Sequence, residues 1–68
     1  MYIPFQNRLK ELRKERNLTQ QQLSRDLCIS ASTLSHWECG YQEPSFEDII
    51  MLCKYFQVTA NYLLGLED

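Results

Sequence analysis

One local pattern occurs three times in 68 residues: an aliphatic residue, then Ser or Thr, then Leu four positions after the hydroxyl. It appears as Leu18-Thr19 with Leu23, Ile29-Ser30 with Leu34, and Val58-Thr59 with Leu63. Each copy marks a helix start. The hydroxyl at the N-cap satisfies an otherwise unpaired N–H of the first turn, and the aliphatic before it staples onto the residue one turn inside. Gln22, three residues after Thr19, completes a capping box; Ser45 with Asp48 gives a further box directly after Pro44. Starts this close together leave room only for short helices. No stretch alternates with period two for long enough to form a strand, so the chain is expected to be all-α.

The remaining boundaries follow from turn and breaker residues. Pro4 suits a first helical turn, and Phe5, Leu9 and Leu12 then fall on one face at i, i+4 and i+7. Asn17 tolerates the left-handed conformation that ends a helix, and Gly40 and Gly65 stand where the third and fifth helices should stop. The expected helices cover about 5–16, 20–27, 31–38, 46–56 and 60–64. Leu9, Leu12, Leu23, Leu27, Leu34, Trp37, Ile49, Leu52, Phe56 and Leu63 should form a single core. With no internal repeat, linker or low-complexity tract, residues 1–68 are expected to make one domain.

The second and third helices are joined by only Cys28, Ile29 and Ser30, a connection short enough for a helix-turn-helix. On the third helix Leu34 and Trp37 must face inward, which points Ala31, Ser32, Ser35 and His36 away from the core. Small side chains on an outer face let a helix backbone sit deep in a groove of DNA, and hydroxyls can pair with several base edges. The same residues could equally form a plain solvent face.

Charge and size narrow the functional classes. The net charge is −2, but it is unevenly distributed: residues 1–36 hold six basic and three acidic side chains, and residues 37–68 hold one basic and six acidic. The first half could therefore face phosphates although the whole chain is acidic. A chain this short buries only about 60% of its unfolded surface, which suits a binding module better than an enclosed catalytic pocket. One His, scattered carboxylates and no Gly-rich phosphate loop supply no nucleophile–base constellation, so no enzyme activity is expected. Cys28, Cys39 and Cys53 are odd in number and spaced neither as a disulfide framework nor as a zinc motif; His36 and Cys39 alone cannot make a structural zinc site. Reduced thiols, no cofactor, no membrane association and a cytoplasmic location are expected.

The register as a whole resembles the Cro/phage-repressor (XRE-like) helix-turn-helix family, through LKELRKERNLTQQQLSRDLCIS, STLSHWECG, PSFEDIIMLCKYFQV and NYLLGL. The resemblance runs from about residue 8 to 66. It implies a five-helix, lambda-repressor-like domain that binds operator sequences in double-stranded DNA, usually as a homodimer, and that represses or sometimes activates transcription. Carried over position by position, it implies base-reading roles for Ala31, Ser32, Ser35 and His36. It implies phosphate contacts for Gln20 at the start of the second helix, beside Thr19, and for Tyr41 and Gln42 after the third. Arg13 and Glu38 take the places of a structural ion pair. Two departures matter. Cys28 fills a turn position usually held by Gly, at a strain of roughly 1 kcal/mol. The loop Tyr41-Gln42-Glu43 lacks a basic residue, so each half-site should bind modestly.

A dimer would offset that weakness. If Leu63 packs inward, Leu64 and Leu66 should face outward beside Tyr62 as a partner surface, and the operator should be an approximate palindrome with half-sites about 34 Å apart. The alternative is the same fold used as a protein-interaction module, such as an antitoxin-like partner-binding protein, with the acidic half as its contact surface.

Overall fold

The computed structural model describes residues 4–67 and contains five helices: α1 (Phe5–Glu15), α2 (Gln20–Leu27), α3 (Ala31–Cys39), α4 (Phe46–Phe56) and α5 (Ala60–Leu63). No strand occurs among the described residues. Four of the five starts are capped by the hydroxyls that the sequence marks. Thr19 Oγ1 accepts from the Gln22 N–H at 3.1 Å and Ser30 Oγ from Thr33 at 3.0 Å. Ser45 Oγ accepts from Asp48 at 3.1 Å and Thr59 Oγ1 from Tyr62 at 3.0 Å.

The helix ends show why the connections are so short. Asn17, Cys28 and Gln57 all adopt the left-handed conformation, at φ 57°, 59° and 57°. The next N–H in each case turns back to the preceding helix: Leu18 to Arg13 O at 3.2 Å, Ile29 to Ser24 O at 3.0 Å, and Val58 to Cys53 O at 3.1 Å. These are Schellman closures with an apolar residue after the left-handed one. Leu18, Ile29 and Val58 therefore each close one helix and staple the next. A left-handed residue, an aliphatic and a hydroxyl are all that such a joint needs. The strain expected at Cys28 is present, and Gln57 carries the same strain at a site the sequence did not flag.

Boundaries depart from expectation by one residue in three places. α1 stops at Glu15 because Arg16 already belongs to the turn that Asn17 closes, α3 continues to Cys39, and α5 ends at Leu63. The core contains nine of the ten expected residues and adds Phe5; Ile49 is only half-buried. Leu9, Leu23, Leu34, Leu52 and Leu63 are wholly inaccessible, each contributing about 1.5–3 kcal/mol through burial. α3 packs on α1 and α2, while α5 packs on α1 and α4. At Gly65, where φ is 78°, an added Cβ would run into the Pro4 ring, so this glycine lets the end of α5 lie against the start of α1.

A polar clamp ties α4 to the helix-turn-helix. Tyr55 donates to Asp26 Oδ2 at 2.6 Å, and Arg16 donates to the Phe56 carbonyl at 3.2 Å with its guanidinium 5.1 Å from the Phe56 ring centroid. The hydrogen bond to the Asp26 carboxylate, then desolvation, raises the Tyr55 pKa above its ordinary value.

Candidate nucleic-acid interface

The inward side of α3 is anchored by a charged pair. Arg13 Nε donates to Glu38 Oε2 at 2.7 Å and Arg13 Nη2 to Glu38 Oε1 at 3.0 Å, while Nη1 reaches the Leu18 carbonyl at 2.8 Å. Gln20 Nε2 adds a third donor to the carboxylate, at 3.1 Å from Oε1. The Glu38 side chain is 2% accessible and that of Arg13 12%. A bidentate fork with further hydrogen bonds is the geometry in which a desolvated pair is fully satisfied. Glu38 is thus held by α1 and by the first residue of α2, which fixes the rotation of α3 about its own axis.

That rotation sets what the outer side presents. Ser32 is exposed, and Ala31, Ser35 and His36 are half-buried. His36 is partly covered because the chain folds back over it after Gly40: the Tyr41 ring lies 4.8 Å from the imidazole centroid, and Gln42 Oε1 is 3.3 Å from Nδ1. The family resemblance implies phosphate contacts for Tyr41 and Gln42; their contact with His36 is an addition that spacing alone does not reveal. Thr33, between Ser32 and Ser35 on the helix, is occupied locally, its Oγ1 2.8 Å from Ser30 Oγ.

The first half of the chain carries fewer uncommitted charges than the sequence suggests. Arg13 is committed to Glu38, Arg16 to Phe56, and Arg8 lies 4.4 Å over the Tyr62 ring and donates to the Glu67 carbonyl. Much of the positive charge of the first half therefore serves the fold. Thr19 is exposed and accepts from Gln22, which leaves its hydroxyl proton to donate. Gln20 spends one amide hydrogen on Glu38 and keeps the other. Both stand at the N-terminus of α2, where backbone N–H groups favour an anion.

Behind the inward side of α3 lies an apolar groove of about 450 Å³, walled by Phe5, Trp37, Phe46, Ile49, Ile50 and Leu64. Phe46 is 90% exposed and Ile50 54%. The three residues expected at the partner surface differ in exposure. Leu66 does face outward, at 73% exposure, but Leu64 is half-buried in the groove wall, and Tyr62 is half-buried beneath Arg8. Phe46 and Ile50, one turn apart on α4, form a larger exposed apolar feature that periodicity assigned no role.

Cys28, Cys39 and Cys53 are all free thiols, and Cys39 Sγ donates to the His36 carbonyl at 3.6 Å. No group of three potential metal ligands occurs among the described residues. No described helix is long and apolar enough to cross a membrane.

Comparison with known proteins agrees with this geometry. The helix-turn-helix family profile matches residues 9–63. The HTH-type transcriptional regulator AnsR of Bacillus subtilis (strain 168) is 43% identical over 61 residues, covering 90% of this chain and 53% of that protein. The HTH-type transcriptional activator BcrR of Enterococcus faecalis is 39% identical over 66 residues, covering 97% of this chain and 32% of its own length. A crystal structure of a transcriptional regulator from Listeria innocua superposes with a TM-score of 0.87 at 26% identity, over all of this chain and 64% of that one. The chain spans about a third to a half of the two curated relatives.

Proposed function

Because the chain belongs to the helix-turn-helix family, we propose that it binds double-stranded DNA sequence-specifically and regulates transcription from the site it occupies. The observation that carries this reading is the outer side of α3. A row of side chains that are small or polar, Ala31, Ser32, Ser35 and His36, is presented by a helix whose inward side is locked through Glu38. Helix α3 enters the major groove and these residues meet base edges. Thr19, Gln20, Tyr41 and Gln42 flank them and donate to phosphate, which fixes the register but carries no sequence information. The chemistry is recognition, with no catalytic step and no cofactor.

A second copy completes the site. One molecule measures 27 × 24 × 21 Å, less than the roughly 34 Å between half-sites one helical turn apart, so a single copy covers one half-site. The exposed apolar residues Phe46, Ile50 and Leu66, with Leu64 and Tyr62 beside them, supply the homodimer contact. The operator is then an approximate palindrome, and two weak half-sites joined in this way bind far better than either alone.

Fluorescence anisotropy with duplex DNA across a salt series tests this reading. Affinity should fall as salt rises, with a log–log slope of about −0.9 per phosphate neutralised, and the slope should be shallow because Arg8, Arg13 and Arg16 are engaged within the fold. Absence of binding at low salt would overturn it in favour of a protein-interaction module, a use that the apolar groove would also suit.

A further inference from the structure

The contact between Gln42 and His36 has a consequence for which bases α3 accepts. A neutral imidazole has one nitrogen that donates and one that accepts, and the partner of the first decides which is which. Here the partner of Nδ1 is the side-chain carbonyl oxygen of Gln42, at 3.3 Å. Such an oxygen can only accept, so this contact calls for a proton on Nδ1, and in the neutral ring Nε2, across from it, is then an acceptor.

The surroundings hold that arrangement in place. The backbone N–H groups of Tyr41 and Gln42 both donate to the His36 carbonyl, at 2.9 and 3.2 Å. Gly40, at φ 84°, allows the chain to turn back in this way. The Tyr41 ring packs on the imidazole at an interplanar angle of 51°. The loop after α3 is thus fastened to the same residue twice through its backbone and twice through its side chains. Gln42 also keeps both hydrogens of its amide nitrogen, so it can donate to a phosphate while its oxygen holds the imidazole.

We propose that Gln42 is a positioning residue for specificity. It fixes His36 as the Nδ1–H tautomer, so that Nε2 meets the major groove as an acceptor and favours a base edge that offers an amino group, cytosine N4 or adenine N6. Guanine and thymine present acceptors at the corresponding places and face an unfavourable acceptor pair. The base preference rests on the DNA-binding reading above; the tautomer does not.

His36 is the only histidine in the chain, so long-range ¹H–¹⁵N correlation of the labelled protein, without DNA and in alkaline buffer, reports this residue alone. The parent should show a protonated Nδ1 and a bare Nε2. Gln42→Leu, which removes the acceptor at an exposed position, should shift the ring toward Nε2–H, and Gln42→Glu, which keeps an acceptor oxygen, should restore Nδ1–H. Selection of bound duplexes should then enrich C or A at one position per half-site for the parent. For Gln42→Leu the preference should move toward G or T, a change of roughly fivefold in relative affinity, the lower end for one base contact. An Nε2–H ring in the parent, or the same tautomer in the parent and Gln42→Leu, overturns the proposal whatever the DNA result. Identical selected bases for both proteins overturn its specificity half. A parent with the stated tautomer that binds no duplex overturns the DNA-binding reading instead.

Discussion

Glu38 and His36 stand two residues apart on α3 and meet opposite environments. Two residues are about 200° around a helix, which turns Glu38 into the core and His36 toward solvent. Glu38 has three side-chain donors from two other helices and almost no accessible surface. His36 is held only by the loop that follows it, through contacts its neighbours could vary without disturbing the core. The difference teaches that one nine-residue helix can keep a side that holds the fold apart from a side left open to a partner. Changes on the inward side should cost stability, and changes on the outward side should cost DNA affinity, each with little leakage into the other.

The largest expected effect lies on the inward side. Glu38→Ala strands the Arg13 guanidinium and should destabilise the fold by about 3–5 kcal/mol, enough to unfold a substantial fraction of so small a domain. Replacing both partners by apolar residues, Arg13→Met with Glu38→Leu, should recover most of the loss. Thermal melts of the two variants check this; equal and small effects in both would show a pair that does little to hold α3. On the outward side, Ser32→Ala and His36→Ala should each weaken operator binding by about 1–3 kcal/mol while leaving the melting temperature in place. A melting shift as large as that of the Glu38 variant would break the separation between the two sides.

Phe46 offers a control that belongs to neither side. At 90% exposure, Phe46→Ser should move stability by no more than about 0.5 kcal/mol and leave binding to an isolated half-site unchanged. Cooperative occupancy of a full palindrome should be lost, as it should for Leu66→Lys. Gel-shift titrations on half and full sites separate these outcomes. The smallest effect is expected at the turn. Cys28→Gly relieves a left-handed strain of roughly 1 kcal/mol but loosens the unfolded chain by a similar amount, for a net gain of about 0.5 kcal/mol or less in urea melts. A clear loss would show that the Cys28 side chain contributes a favourable contact of its own.

Much of the fold was legible because its signals are local. Thr19, Ser30, Ser45 and Thr59 each announce a helix start within a few residues of chain, and the flanking aliphatics fix which side turns inward. What was not legible depends on contacts between distant segments or on loop geometry. Leu64 packs against the core although its place on the α5 wheel turns it outward. Nothing local predicts that Arg8 will sit on Tyr62, 54 positions away. The partnership of Arg13 with Glu38 bridges 25 residues, and only the family resemblance, not periodicity, pointed to it. The fold-back of Tyr41 and Gln42 over His36 requires the positive φ of Gly40, which marks a helix end without stating where the next side chains go.

The central claim is that the outward side of α3 reads sequence while the inward side only holds it. Selection from a random duplex pool, run in parallel with the parent and with Ser32→Ala/His36→Ala, tests this most directly. The parent should enrich a two-fold-related motif. The double variant should retain the outer, phosphate-determined spacing and salt dependence but lose base preference at a few positions in each half-site. Identical motifs from both proteins, or a parent that enriches no motif at all, would contradict it.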